Sequence, residues 1–355
     1  MLPEFVKMRL LFDLGHPAHY YLYKFVIRHL REKGDKILLV VRDREKMVAN
    51  LLKEEGEDFV LLGGHVGSIA GKACYMVMND IRLLRIASRF RPDIFVSMNS
   101  PYSAHISFLM RRPHLSFTDT ENSKIIILLL APFTDTMITP TAFRGGFTFR
   151  KQVKVDCYKS LAYIHPRYFS PDPKVLQEAG ISAGEKFVMV RFSAYDASHD
   201  IGLRGLSERS REMIVDELSK HAKVFLTSEV GLSEKLKRYV PPVRINRIHD
   251  LLAYSSLYVG EGSTMAIEVS LFGVPSVLIN PSRCGVFEDL ERNGLLKQFF
   301  EPENQLEEII EYCKKTLLTP GLKSETLKRR NRMLSKMDDL TEIIIEEIEK
   351  FRKGN

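Results

Sequence analysis

Short stretches that are apolar at nearly every position, each followed by a helical pattern, recur along this chain and leave few folds open to it. MRLLFD (8–13), KILLVV (36–41), DFVLLG (58–63), IFVSM (94–98), HLSFTD (114–119) and DTMIT (135–139) read as strands. A strand with one wet face alternates apolar and polar residues. These do not, as expected of parallel strands covered by helices on both faces. Helical stretches separate them: one ending near Gly34, one over 44–55, a long one through Arg89, and others near 101–110 and over 122–130. That alternation marks a doubly wound α/β sheet.

The pattern breaks at HPRYFSPDPKVLQEAG (165–180), which is proline-rich and polar and reads as a linker with a short helix over 175–179. It then restarts. FVMVRFS (187–193), KVFLTS (223–228) and a stretch around 243–245 read as strands, with helices over 207–221, 233–239 and from Ile248. After Phe300 the chain reads as helical over 305–317, 321–335 and 339–352. Two Rossmann-type doubly wound domains follow, 1–164 and 181–338, joined by 165–180; a chain of 355 residues is long enough for two cores.

Composition narrows the function classes. The formal charge of +7 suits an anionic ligand, an acidic membrane surface or nucleic acid, but it is spread along the chain with no Lys/Arg block, so no specific nucleic-acid role is expected. Cys74, Cys157, Cys284 and Cys313 are isolated and read as free thiols in a reducing compartment. The opening MLPEFVKMRLLFDLG lacks a signal-peptide core, and IIILLLAPF (125–133) is too short to span a bilayer. The expectation is a cytoplasmic protein, with contact at the inner membrane surface as an option. Phe133, Phe143, Phe147 and Phe149, near Arg144 and Arg150, read as core packing with a solvated rim; docking on a membrane or a polyprenyl-linked acceptor is the alternative.

One stretch carries chemistry, VGEGSTMAIEVSLFGVPSVLIN (259–280). Leu257, Tyr258 and Val259 end a strand, and Gly260 and Gly262 permit a close or left-handed backbone. Ser263 reads as the N-cap of a helix, Gly273 as its stop, and Ser276–Ile279 as the next strand. Such a turn aims N–H groups and the positive end of a helix at one spot, which suits a phosphate. Glu268 is the only charge between Glu261 and Arg283, and it follows Thr264 by four positions. The two therefore share a helix face, roughly 6 Å apart along the axis. A carboxylate there can accept two ribose O–H bonds while the helix terminus holds a diphosphate. The plainer alternative is a capped helix with a solvated glutamate.

This stretch resembles the donor-binding motif of GT-B-fold glycosyltransferases and of UDP-N-acetylglucosamine 2-epimerases. With RFSAYDASHDIG (191–202) and IHDLLAYSSLYVGEGSTMAIE (248–268), the chain resembles a mostly prokaryotic family, domain of unknown function 354. The resemblance implies a GT-B-like fold, two Rossmann-type domains facing a central cleft, with a nucleoside diphosphate sugar as substrate, a UDP-sugar foremost. It implies no separate cofactor and no metal. By analogy with GT-B folds, the helix within 339–355 returns to the first domain. The reaction implied is transfer of the sugar to a sugar or lipid-linked acceptor. Epimerisation of the 2-epimerase type is the rival, and a non-catalytic nucleotide-sugar binding protein a third reading.

Ligands of doubly wound sheets sit beyond the carboxyl ends of the strands, so the loops there supply the candidates. Asp13, His16 and His19 follow the first strand, and a histidine suits a general base or a phosphate partner. In the resembling transferases the equivalent loop carries a histidine near the transferred sugar. Metal binding by His16 and His19 lacks a third ligand. Asn99 and Ser100 follow the fourth strand; Asp119, Thr120 and Glu121 follow the fifth, where the 2-epimerases place acids. His16, Asp119 and Glu121 are the catalytic candidates; structural capping is the alternative for His16, and a cap on the helix near Asn122 the alternative for Asp119 or Thr120. Arg191, Ser193, Asp196, His199 and Asp200 surround the loop after FVMVRFS, and Arg191 suits a diphosphate or else an ion pair with Asp196 or Asp200. Ser228 and Glu229 end the next strand; His249 and Asp250 occupy a position that meets the nucleobase in GT-B folds. Gly262, Ser263, Thr264 and Glu268 complete the donor set. Gly64, Gly67 and Gly71 fit no phosphate motif and are read as a loop able to reach an acceptor.

Overall fold

Fully apolar runs become parallel strands here because helices cover both faces, and the chain uses this solution twice. The structure, a computed structural model, describes residues 7–42, 46–63, 69–194 and 205–353. It divides into two compact units, residues 1–163 with 338–355, and residues 164–337.

Unit 1 contains β1 (Arg9–Leu14), α1 (Pro17–Glu32), β2 (Lys36–Val41), α2 (Met47–Glu54), β3 (Phe59–Leu61), α3 (Ile69–Phe90) and β4 (Ile94–Met98). These are followed by α4 (Pro101–Leu109), β5 (His114–Phe117), α5 (Lys124–Leu130), β6 (Thr136–Pro140) and β7 (Gln152–Val155); the short α6 (Leu161–Ile164) runs over the boundary at residue 163. The sheet order is β3-β2-β1-β4-β5-β6-β7, and every pairing is parallel. The chain builds outward from β1 to β3 and then crosses to the other side of β1. That reversal opens a crevice at the carboxyl ends of β1 and β4.

The two helices flanking the reversal start alike. Pro17 and Pro101 begin α1 and α4, and the preceding His16 and Ser100 cap them by accepting from the N–H of Ala18 (3.1 Å) and Ser103 (3.2 Å). Proline there loses no needed N–H and has its φ already set. Asp13, wholly buried at the end of β1, binds these parts together. Its carboxylate accepts from Ser103 Oγ at 2.8 Å, from Ser100 Oγ, and from Arg42 Nε at 2.6 Å. Asp13, a ligand candidate from sequence, is therefore given over to the fold.

The last helix, Leu340–Lys353, packs on unit 1. It buries Leu340, Ile344 and Ile348, pairs Glu347 with Lys151 at 2.5 Å, and places Arg352 Nη1 2.9 Å from Asp35.

Unit 2 contains α7 (Lys174–Glu178), β8 (Phe187–Phe192), α8 (Glu208–Ser219), β9 (Lys223–Ser228), α9 (Glu234–Lys237), α10 (Ile248–Tyr254) and β10 (Leu257–Gly260). Then come α11 (Ser263–Leu271), β11 (Ser276–Ile279), α12 (Gly285–Arg292), β12 (Leu296–Phe299), α13 (Leu306–Leu318) and α14 (Leu322–Leu334). The parallel order β12-β11-β10-β8-β9 places its reversal between β8 and β10. The stretch 165–180 is fastened to this unit. Arg247 pairs with Asp172 (3.0 Å) and Asp250 (2.9 Å), Asp250 accepts from the Asp172 N–H, and Tyr254 Oη donates to the Pro171 carbonyl. Asp250 thus anchors backbone.

Several local expectations are corrected. The strand expected around 243–245 is a 3-10 turn, Ile245–Arg247. Ser263 is the first residue of α11 and Gly262 holds the cap position. Gly260 and Gly262 do not have positive φ; close approach explains them, whereas Gly273 ends α11 with φ +77° as expected. Phe143 is buried, and it packs with Ile127, Ala131, Phe147 and Phe149 in one apolar cluster, so this aromatic segment is core.

Removing one partner of a buried pair leaves the other charge uncompensated. Asp13→Ala should destabilise unit 1 by about 3–5 kcal/mol, because Arg42 and two serine hydroxyls lose their acceptor. Urea denaturation of wild type and variant measures this.

Candidate functional site

Glycine decides how β8 and β10 meet. A Cβ on Gly260 would lie 2.5 Å from the carbonyl oxygen and 2.9 Å from the nitrogen of Arg191, so any side chain forces the two strands apart. A Cβ on Gly262 would lie 2.8 Å from Arg191 Cγ and 3.5 Å from Ser193 Oγ. Tyr258 Oη donates to the Gly262 carbonyl at 3.0 Å and holds the turn. The first turn of α11 therefore begins directly against Arg191 and Ser193. Such a helix presents N–H groups lacking intrahelical partners, with a positive dipole end.

Glu261, between the two glycines, is buried and accepts from the N–H groups of Leu206 (2.6 Å) and Ser193 (3.2 Å) and from Arg211 Nη2 (2.8 Å). Burial pushes its carboxyl above the ordinary range, while Arg211 and those N–H donors pull it back. Asn280, after β11, donates to the Glu261 carbonyl and to Ser263 Oγ, both at 3.2 Å. Arg191 pairs with Glu229 at the end of β9. One turn into α11, buried Glu268 lies 3.3 Å from His249 Nε2, so two ligand candidates from sequence meet each other.

In unit 1 the reversal gathers a second set of groups. His19 accepts from the Gly15 N–H through Nδ1 at 3.2 Å. Its pKa is held well below 6.5 by burial and by the charges of His16, Arg42 and Lys159. It is neutral near pH 7, and because Nδ1 accepts, the proton sits on Nε2. His16 is exposed, and its ring lies 6.1 Å from that of His19. Asp119 is buried beside Lys159 Nζ at 3.1 Å and accepts from Thr120 Oγ1 at 3.0 Å. Glu121 accepts from the Arg144 N–H at 2.9 Å, which commits one of its oxygens to the loop after β6. Asn99 adopts φ +52°, a left-handed conformation that asparagine tolerates best among non-glycine residues. Its Oδ1 and the Oγ1 of fully buried Thr118 make no hydrogen bond among the described residues.

Comparison with known proteins agrees with this architecture. The model of a family described as protein of unknown function, DUF354, matches residues 8–353. The chain belongs to the DUF354 family. An uncharacterised protein of Methanocaldococcus jannaschii is 23% identical over 322 residues, 86% of this chain and 90% of that one. Among solved structures, the spinosyn forosaminyltransferase superposes with a TM-score of 0.66 at 16% identity, over 98% of this chain and all of that one. The UDP-GlcNAc 2-epimerase from Neisseria meningitidis bound to UDP-GlcNAc gives 0.66 at 12% identity, over 97% and 100% of the two chains. The glycosyltransferase SnogD from Streptomyces nogalater gives 0.62 at 16%, over 98% and 100%. The fold of this DUF354 member is that of GT-B glycosyltransferases and 2-epimerases.

The DUF354 chain thus brings Arg191, Ser193, Gly262, Ser263 and Thr264 to one reversal, with Glu268 and His249 paired a turn away; His16, His19 and Asn99 gather at the other, where Lys159, paired with Asp119, adds its charge to those acting on His19. His199, Asp196 and Asp200 lie outside the described residues, as do Gly64 and Gly67. Sequence reading passed over Glu261, Asn280, Arg42 and Lys159. A charge between two glycines at a strand end was a signal for Glu261; nothing local marked Lys159, which meets Asp119 only through the sheet.

His19 also sets a pH dependence. Below pH 6.5 the unfolded chain takes up a proton that folded His19 refuses, so stability falls as pH drops from 6.5. Buried His114, pushed down to about 3, acts in the same direction. His19→Gln should flatten the stability–pH slope below 6.5 by about 1.4 kcal/mol per pH unit, read by urea denaturation across pH.

Proposed function

We propose that this protein binds a nucleoside diphosphate sugar, a UDP-sugar foremost, through unit 2 and transfers the sugar to an acceptor hydroxyl. The observation that carries this is the seating of the α11 N-terminus against Arg191 and Ser193, which Gly260 and Gly262 alone permit. N–H groups and a dipole end suit a diphosphate, and the guanidinium of Arg191, paired with Glu229, is the neighbouring cation that would join them. Glu268 then holds the ribose hydroxyls, with His249 orienting its carboxylate. No separate cofactor is called for.

In unit 1 the proton acceptor is Asp119, which takes the acceptor's proton as the new glycosidic bond forms. Arg191 and the helix terminus stabilise the diphosphate as it departs with the bonding electron pair. Neutral His19 offers an Nε2–H donor to an oxygen of the sugar or acceptor, and His16 stands beside it. Epimerisation needs acid and base groups on both faces of the sugar. With one Glu121 oxygen on the Arg144 N–H, the arrangement favours transfer.

Calorimetric titration with UDP, GDP, CDP and dTDP tests the donor pocket. One of these should bind at micromolar Kd, and Glu268→Gln should weaken it by about tenfold or more, the effect of losing a charge-assisted hydrogen bond. If folded wild type binds none of the four, the reading fails. Once a donor is found, Asp119→Asn should lower kcat by about a hundredfold or more while nucleotide affinity stays unchanged. A protein that only binds would show no turnover in either form.

A further inference from the structure

Three helices of unit 1 share one unusual residue. His105 on α4 places Nδ1 3.0 Å from Asp80 Oδ2 on α3 and Nε2 3.3 Å from the Leu129 carbonyl on α5. Both partners are acceptors, so the ring bridges three helices as a double donor and fixes them side by side. Its pKa is raised, first by the hydrogen bond it donates to Asp80.

The outward face of these helices is apolar. Ile125 is 74% exposed, Leu128 64%, Leu109 62%, Val77 59%, Phe108 54% and Ile81 45%. Val77 and Ile81 are four apart on α3, and Ile125 and Leu128 three apart on α5, so each pair presents one stripe. Beneath them, Phe133 packs edge-on against Phe108 and His105. Large side chains gathered outward in this way mark an interaction surface.

Charge identifies the partner. Residues 69–112 carry seven Lys/Arg and two acids, Asp80 and Asp93. Both acids are engaged, Asp80 with His105 and Asp93 with the Arg9 N–H and with Arg112. Arg85, Arg89, Arg111 and Lys124 are exposed around the apolar stripes. Apolar side chains amid exposed cations match a bilayer bearing anionic headgroups, where the side chains enter the interface and each nearby cation adds attraction.

We propose that the α3–α4–α5 face of unit 1 docks on the surface of an anionic lipid bilayer. The contact is peripheral: among the described residues no helix is long and apolar enough to cross a membrane.

Flotation of the full chain with phosphatidylcholine vesicles, with and without phosphatidylglycerol, tests this. Wild type should partition about tenfold or more in favour of the phosphatidylglycerol vesicles, and added salt should weaken that binding. The double variant Ile125→Asp/Leu128→Asp should lose binding about tenfold or more, and Arg111→Gln/Lys124→Gln should lose the preference for phosphatidylglycerol. All four positions are exposed, so unchanged melting curves control for folding. No binding to either vesicle, equal binding to both, or binding that the aspartates leave intact overturns the proposal. A lipid-free dimer dispersed by the aspartates also overturns it and makes the face an interface between copies.

Discussion

A buried carboxylate at the end of a strand beside the sheet's reversal organises each unit. Asp13 closes β1 in unit 1, and Glu261 directly follows β10 in unit 2. Each is almost fully withdrawn from water, which is tolerable only when the oxygens are met by donors. Asp13 finds two hydroxyls and a guanidinium; Glu261 finds two backbone N–H groups and a guanidinium. The donors come from segments far apart in sequence: Ser100 and Ser103 from the start of α4, Arg42 from beyond β2, Ser193 and Leu206 from either end of the stretch before α8. Satisfying one charge therefore fixes several loops at once, and those loops carry the candidate ligand groups.

The same arrangement explains why glycine is required at 260 and 262. With Glu261 drawn inward, the chain leaving β10 must turn hard against β8, and little room remains for a side chain beside the Arg191 backbone at 260 or beside the Arg191 side chain at 262. Arg191 is left half-buried with its guanidinium directed to Glu229 at the edge of the sheet. Ser263 enters α11 already held by Asn280. The geometry that relieves a steric conflict also seats a helix terminus against the stem of the Arg191 side chain.

Much of this was legible in the sequence, and the exceptions have physical reasons. Strands buried on both faces announce themselves by unbroken apolar residues. β7, QVKV, lies at an edge with polar residues outward, and β12, LKQF, contains a buried glutamine. Gln298 is tolerated because its amide donates to the carbonyls of Asn280 and Ser282, partners set by tertiary structure. The 243–245 stretch has strand-forming residues but no neighbouring strand to complete it. The pairing of Asp119 with Lys159 spans forty residues and the whole of β6 and β7, so no local motif records it. Motif reading picked out the turn from β10 into α11 because its parts are contiguous; the groups in unit 1 come from four separate loops.

The histidines show how the buried pairs reach into chemistry. Arg42 and Lys159 are fixed by Asp13 and Asp119, and their charges, added to burial, keep His19 unprotonated. With Nδ1 already accepting from the Gly15 N–H, its remaining nitrogen is a donor. His16 faces the same restriction while it caps α1 through Nδ1, and it can accept a proton at Nε2 only in the tautomer that gives up Ala18. A carboxylate has no such constraint, since it accepts in every orientation. Under the proposed transfer, proton removal would fall to Asp119, and the histidine pair would hold an oxygen in place.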